Sequence, residues 1–368
     1  YTIESTSGPL ADISGYTSSI GESLGSFTQT LDNHTDIVQW VEYRLHPYST
    51  GVTSCNAGTA NDTLFRIYVN PEPQIEVTVE DTICFEDGTT FTISTLTPSG
   101  NTTGEWVYDV VSTPSDPAEV SGNNDYNDAT ALSFTENLVN NSNTLQWVDY
   151  VFTAKILNPR TGLPYCTDGV IDTTIRIYIN PEPLIDVSVT EDTVCFEDGT
   201  TFNVSTLTPS GNTTGEWVYD VVSTPSDLVA VSGNNDYNDA TALSFNENLV
   251  NNSNTLQWVD YAFTAKILNP RTGLPYCTDG VVDTTIRIYI NPEPQIEVTV
   301  EDTICFEDGT TFNISTLTPS GNTTGEWVYD VVSTPSDLVA VSGNNDYNDA
   351  TALSFTENLV NNSNTLQW

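Results

Sequence analysis

The side chains able to do covalent, metal or acid–base chemistry in this chain are six cysteines, two histidines and 50 carboxylates. The cysteines stand at Cys55, Cys84, Cys166, Cys195, Cys277 and Cys305, and none forms C-x-x-C. Histidine occurs only at His34 and His46, so zinc spacing is absent. Regular pairs without that spacing read as disulfides of an oxidising, extracellular setting. Pairing Cys84 with Cys166 would close a loop of about 82 residues, for which chain entropy gives roughly 4–5 kcal/mol. Each copy would then stabilise itself. The rival pairings, Cys55 with Cys84 or Cys166 with Cys195, would staple neighbouring domains instead.

The carboxylates offer a second chemistry. The segment NNDYND, at 123–128, 234–239 and 344–349, gathers oxygen donors of the kind Ca²⁺ prefers. Asp125, Asp128, Asp236, Asp239, Asp346 and Asp349 are the candidate ligands, with Glu86 and Asp87 beside the linker carbonyls as another choice. The plain alternative is a solvated turn, which Asn and Asp favour on their own. Catalysis finds no support. The histidines fall in the first segment and do not recur, so the repeats have no Ser-His-Asp set. No carboxylate pair can be singled out as a glycosidase pair, and no phosphate-binding glycine loop is present. The expectation is a protein that is not an enzyme.

These residues are positioned by a repeat. CFEDGTTF occurs at 84–91, 195–202 and 305–312, and NPEP at 70–73, 180–183 and 291–294. A period of 110–111 residues is a domain rather than a solenoid turn, since such a length can bury its own core. The boundaries expected are a partial domain at 1–72, full repeats at 73–182 and 183–293, and a partial domain at 294–368. Within a period, runs such as IEVTV, TFTISTL, EWVYDVV, ALSFTENL, TLQWVDYVFTAKI and DTTIRIYIN alternate with Gly-, Asn- and Pro-rich turns. Six or seven strands rich in Val, Ile, Thr and aromatics predict an all-β chain of tandem immunoglobulin-like β-sandwiches. Short Pro-x-Pro linkers fix φ at each joint and favour an extended string. CFEDGTTF is expected to be the turn that opens each sandwich, and Trp106 and Trp147, both mid-strand, are expected in the core.

Charge narrows the partners. Against 50 Asp and Glu stand 8 Lys and Arg, a net charge of −42, which disfavours nucleic acid and anionic membrane surfaces. No apolar run reaches the roughly 18 residues of a membrane span. The chain does not open with Met, which fits a processed or excised chain. Residues 26–43 align with 133–150, so both ends fall inside domains. A slice of a longer chain would account for this, and so would a subunit completed by strands from adjacent copies.

In order, the motifs D-T-[IV]-C, G-T-T-F, G-E-W, S-F-[TN]-E-N-L-V-N, W-V-D-Y, Y-C and I-Y-I-N-P-E-P resemble the PKD-like repeat domains of giant secreted surface proteins of Bacteroidota, related to gliding-motility adhesins. The resemblance covers essentially the whole chain. It implies export, by the type IX route, and a mechanical or adhesive role. It also implies bridges Cys84–Cys166 and Cys195–Cys277, with partners for Cys55 and Cys305 outside this segment. Short Asp-Thr acceptors resembling the O-glycan sites of that phylum place candidate modification at Thr63, Thr82, Thr173, Thr193, Thr284 and Thr303. The turn SGNTTG adds Asn-x-Thr acceptors at Asn101, Asn212 and Asn322. The resulting expectation is the structural repeat region of an extracellular bacterial filament or adhesin stalk, partnered by copies of itself. The alternatives are a donor-strand polymer, or a carbohydrate- or surface-binding module using exposed Tyr126 and Tyr237. Cofactors are none, beyond possible Ca²⁺ and covalent glycans.

Overall fold

The computed structural model describes residues 2–7, 12–21, 25–50, 55–56, 61–95, 102–165, 173–206, 213–276, 284–318 and 320–368. Among the described residues the regular structure is almost wholly β, with a short 3₁₀ turn at Ser320–Asn322. The chain divides into two compact units: residues 1–182 with 212–214, and residues 183–211 with 215–368.

The repeat at 73–182 has ten described strands: β1 (Ile75–Thr78), β2 (Thr82–Ile83), β3 (Gly88–Thr95), β4 (Glu105–Pro114), β5 (Val120–Ser121), β6 (Tyr126–Ala129), β7 (Ser133–Asn137), β8 (Val139–Asn140), β9 (Gln146–Leu157) and β10 (Thr173–Ile179). One sheet runs β2-β10-β9-β4-β6, the other β7-β3-β1, and β5 and β8 form a separate ribbon. The backbone of the design is the β4–β9 ladder, paired from Glu105↔Leu157 to Pro114↔Val148. Strand β9 explains itself from sequence: Gln146, Val148, Tyr150, Phe152, Ala154 and Ile156 are its inward set, at a strict period of two. Their intervening neighbours face the other way, Trp147 among them. Trp147 is therefore half-buried rather than in the core, whereas Trp106 on β4 is buried as expected.

The two sheets close on aromatic rings. Phe91 of β3 stacks on Phe134 of β7 at 4.7 Å and meets Tyr150 of β9 at 4.8 Å and Phe152 at 5.7 Å. Phe91, Tyr150 and Phe152 have no exposed surface. The repeat at 183–293 repeats the plan with Phe202, Phe245, Tyr261 and Phe263. Into this core each repeat sends one carboxylate: Glu136 is 1 % exposed and Glu247 is fully buried. The charge is tolerable because donors surround it. Glu136 accepts the Tyr126 hydroxyl at 2.6 Å and the Asn124 amide at 2.9 Å.

Two segments read from sequence as turns behave differently. CFEDGTTF is a turn only over Cys84–Asp87, and Gly88 already begins β3. NNDYND contributes strand β6, which pairs with β4 through a bulge where Asp128 takes φ 49°. Non-glycine residues tolerate that region best when they are Asp or Asn, and bulges stop an edge strand from templating further pairing. The N-terminal segment folds around Ile13, Val41 and Tyr43, with Thr63–Val69 pairing Gln39–His46. In the C-terminal segment Ile296–Thr299, Gly309–Thr316 and Ser354–Asn358 form the counterpart of the three-stranded sheet. Among the described residues no helix is long and apolar enough to cross a membrane.

Truncating Phe91 removes the ring that both sheets touch. Phe91→Ala is expected to cost about 3–5 kcal/mol in the unfolding transition of its repeat, measured by denaturant titration. Val111→Ala, on the exposed face of β4, should stay within about 0.5 kcal/mol.

Candidate functional site: the NPEP joint

The joint begins where a last strand ends. In the first unit the strand Thr63–Val69 gives way to Asn70-Pro71-Glu72-Pro73-Gln74, and β1 starts at Ile75. Both prolines are buried and Glu72 is exposed. Buried prolines at fixed φ leave few torsions free and need no donor satisfied. Asn70 then reaches into the next sandwich: its Oδ1 accepts the backbone N–H of Thr103 at 2.8 Å and the Thr103 hydroxyl at 3.0 Å. Thr103 lies in the SGNTTG turn that leads into β4.

The same contact recurs with the same residue types. Asn180, fully buried, accepts from the N–H and hydroxyl of Thr214 at 2.9 and 3.1 Å and donates Nδ2 to that hydroxyl at 2.9 Å; Thr214 belongs to the first unit. In the second unit Asn291 does likewise with Thr324, at 2.9, 3.2 and 2.9 Å. An amide suits this task because it accepts and donates from one planar group, whereas a carboxylate only accepts.

The near side of the joint is fixed as well. Asn140 donates Nδ2 to Ile179 O at 3.0 Å, Asn251 to Ile290 O at 2.9 Å, and Asn33 to Val69 O at 3.0 Å. The N–H of Asn180 goes to Ile83 O, and that of Asn291 to Val194 O, both at 2.9 Å. Each strand end is thus tied to its own sandwich just before the asparagine ties it to the next. Neither set of asparagines was singled out from sequence. The recurrence of NPEP pointed to the first set, but nothing local marks the threonine it meets about 33 residues later.

The expected calcium ligands are not gathered. Asp125 accepts the N–H and hydroxyl of Ser112 at 2.7 and 2.8 Å, which holds its carboxyl below the usual range. Asp236 and Asp346 do the same with Ser223 and Ser333, to the same effect. Asp128 faces the Lys155 ammonium at 2.6 Å, with Asp109 on its other side at 2.7 Å; Asp239, Lys266 and Asp220 repeat that triad. Asp349 donates its N–H to Asp330. Glu86 and Asp87 are exposed, and Asp87 caps the N–H of Gly88. A lysine already supplies the cation in this bulge, and among the described residues no three Asp, Glu, His or Cys side chains form a ligand group. The donor set does not fit Ca²⁺.

The aromatic candidates are also engaged. Tyr126 and Tyr237 are not open platforms: each packs on a phenylalanine at 4.7 Å and donates its hydroxyl to the buried glutamate. Burial, with the Glu136 carboxylate second, pushes the Tyr126 phenol up to about 12. On the outer face Arg176 covers Trp147 at 4.9 Å and makes a bidentate pair with Asp149 at 2.7 and 2.8 Å. Arg287, Trp258 and Asp260 repeat the set.

Of the glycan acceptors, Thr63 and Thr303 are exposed, Thr173, Thr193 and Thr284 are half-buried, and Thr82 is buried beside Tyr178. Thr82 is therefore closed to modification in the folded repeat. Asn322 is half-buried, while Asn101 and Asn212 lie outside the described residues.

The cysteines depart from the expected pairing. Cys84 is disulfide-bonded and buried, but Cys195 and Cys305 are free and exposed. The bridge Cys195–Cys277 is thus absent, and the reason lies in the strands. Cys195 follows Val194, which pairs with Ile290 opposite Gln257. Tyr276, the residue before Cys277, hydrogen-bonds Ile267, ten residues along that strand from Gln257. The side chains of Cys55, Cys166 and Cys277 lie outside the described residues.

No protein-family profile and no curated protein matches the sequence. Solved structures do. The chain is similar to FdeC, an Escherichia coli adhesin, at 14 % identity over 78 % of this chain and 88 % of that one, with a TM-score of 0.31. It is similar to the Yersinia pseudotuberculosis adhesin InvE at 11 % identity over 65 % and 67 %, TM-score 0.21. The FN1–FN3 domains of chicken CNTN1 match at 16 % identity over 79 % and 91 %, TM-score 0.26. At such identities the likeness concerns the β-sandwich architecture alone.

Replacing Asn70 by Ala removes the acceptor for two donors of Thr103. Amide exchange at Thr103 is expected to accelerate at least tenfold, read by hydrogen–deuterium exchange, while Asn70→Asp, which keeps the acceptor, should restore most of the protection. A second expectation concerns acid. Asp125 and Asp149 have depressed folded-state pKa values, from Ser112 and from Arg176 respectively. The stability they contribute is present above the ordinary carboxylate pKa and is lost as pH falls through the depressed value. From pH 7 to about 5 repulsion among the excess carboxylates declines, so stability holds or rises; below about pH 4 it should drop. Thermal unfolding across that range checks this, and Asp149→Asn should flatten the acid limb.

Proposed function

We propose that this chain is the repeat region of an extracellular bacterial surface stalk or filament, of the PKD-like kind found in giant adhesins of Bacteroidota, whose work is to extend and present. The observation that carries the reading is the threefold Asn–Thr clamp at the NPEP joints. A joint held from both sides transmits length and resists bending, which a binding module or an enzyme has no need for. The disulfide at Cys84 supports an oxidising compartment. The net charge of −42 supports mutual repulsion of neighbouring copies. The covered Trp147 and the packed Tyr126 speak against glycan binding through these aromatics. Exposed Thr63 and Thr303 remain acceptors for covalent glycans on this reading.

A second reading is a polymer completed by strands from adjacent copies.

Electron microscopy of chains with increasing repeat number separates the readings. For the stalk, contour length should grow by about 40 Å per added repeat, from strands of about ten residues plus a linker. An Asn70/Asn180/Asn291→Ala variant should be visibly more bent at equal length. Lengths that follow protein concentration rather than repeat number would instead support the polymer. Collapse of the chain onto itself, or retention of the wild type on polysaccharide, would overturn the stalk.

A further inference from the structure

The loop that leaves β4 keeps its shape in every copy but not its sequence. It reads Ser115-Asp116-Pro117-Ala118-Glu119 in the first complete repeat. In the two copies that follow it reads Ser226-Asp227-Leu228-Val229-Ala230 and Ser336-Asp337-Leu338-Val339-Ala340. Asp116–Pro117 is the single Asp-Pro bond of the sequence. Such a bond is chemically distinct. The proline nitrogen has no N–H and is a tertiary amide, so it takes up a proton more readily than other peptide nitrogens and leaves as a secondary amine. The carboxylate beside it is an intramolecular nucleophile, whose attack on its own carbonyl carbon closes a five-membered ring.

The folded turn arranges the reacting groups. Asp116, Pro117 and Ala118 are exposed, so water reaches the bond. The carbonyl oxygen of Asp116 accepts the N–H of Glu119 at 3.1 Å and that of Val120 at 2.9 Å. Two backbone donors on one carbonyl oxygen stabilise the negative charge that a tetrahedral intermediate places there. Asp116 Oδ1 accepts the N–H of Ala118 at 2.9 Å, which closes a ring containing the Asp116–Pro117 bond and keeps the carboxyl beside it.

The other copies share out their donors differently. Ala230, the counterpart of Glu119, gives its N–H to the Asp227 carboxylate at 3.1 Å. That of Ala340 is divided between the carboxylate and the carbonyl of Asp337, at 3.1 and 3.2 Å. Among the described residues the Asp116 carboxylate thus has one backbone donor where those of Asp227 and Asp337 have two. A carboxylate with fewer donors is the better nucleophile, and a carbonyl with two donors is the better electrophile. Only the first repeat joins both to the better leaving group.

We propose that Asp116–Pro117 is a self-cleavage site. A carboxylate oxygen of Asp116 bonds to the Asp116 carbonyl carbon, the bond from that carbon to the Pro117 nitrogen breaks, and the nitrogen takes a proton from solvent. The cyclic anhydride so formed adds one water and opens to a terminal Asp116 with two carboxyl groups. The net change is hydrolysis of one peptide bond, with water as the co-reactant. The cut falls between β4 and β5, while β4 stays paired with β9 from Glu105↔Leu157 to Pro114↔Val148. The product is a nicked sandwich, two chains held by a ladder. This chemistry belongs to one loop and holds whether or not the chain serves as a stalk.

The test uses the full chain at about pH 5, where ordinary carboxylates are ionised. Mass spectrometry under reducing, denaturing conditions should find pieces 1–116 and 117–368 accumulating. They should form at least tenfold faster in the folded chain than in chain unfolded by guanidinium chloride at the same pH. An equal or faster cut in the unfolded chain would overturn the proposal, since the fold would then contribute nothing. Asp116→Asn, which keeps the acceptor for Ala118 and loses the nucleophile, should slow the cut at least tenfold. Pro117→Leu, which gives the loop the leucine of the other copies, should do the same, and denaturant unfolding checks that both variants are folded. A cut at Asp227–Leu228 as fast as that at Asp116–Pro117 would also overturn the assignment. Under native conditions the nicked protein should elute in gel filtration with the intact chain, and separation of the pieces would overturn the nicked sandwich.

Discussion

The ladder between Glu105–Pro114 and Gln146–Leu157 is the constraint on which the rest of each repeat depends. Ten consecutive antiparallel pairs make the sandwich long and narrow, and they set which residues stand at which end. One end carries the closing strand, the asparagine and the CFEDG cysteine. The other carries the G-E-W turn and the Y-C loop. Because a sheet of this length keeps its two ends about 30 Å apart, nothing at one end can bond to the other.

A chain built this way has to solve two electrostatic problems. Its surface is strongly negative, and the few cations are placed where they serve more than one partner. Lys155 lies between Asp109 and Asp128, and Arg176 bridges Asp149 while covering Trp147. Inside, a glutamate in each sandwich is held by a tyrosine hydroxyl and an asparagine amide. That buried carboxylate fixes the edge strand Tyr126–Ala129 to the core, since Tyr126 spans both. Breaking such a set would leave an unpaired buried charge, which costs more than the set contributes when intact.

The joint uses little chemistry. Two buried prolines remove torsional freedom on one side, and one amide, used as acceptor and donor, ties the other. These bonds are short in range and lie in turns, so they add little to the stability of either sandwich. Their effect is on the relation between strand end and turn. In the G-E-W turn, Gly104 lets strand and loop approach closely.

The repeat period, the all-β class and the strands were legible in the sequence, because each is a local matter of alternation and turn chemistry. Strand Gln146–Leu157 can be read residue by residue, including the outward face of Trp147 once the period of two is applied strictly. The bulge at Asp128 was not legible, since an Asn- and Asp-rich segment spells turn and edge strand alike. Nor was the burial of Glu136, whose hydrogen-bond donors, Asn124 and Tyr126, precede it in the chain and reach it only through the fold. The cysteine pattern is the clearest division. Sequence alone established that there are two per repeat and that they recur in step. Which of them can meet was decided by the tertiary structure, because spacing along a chain is silent about which end of a long ladder each residue occupies.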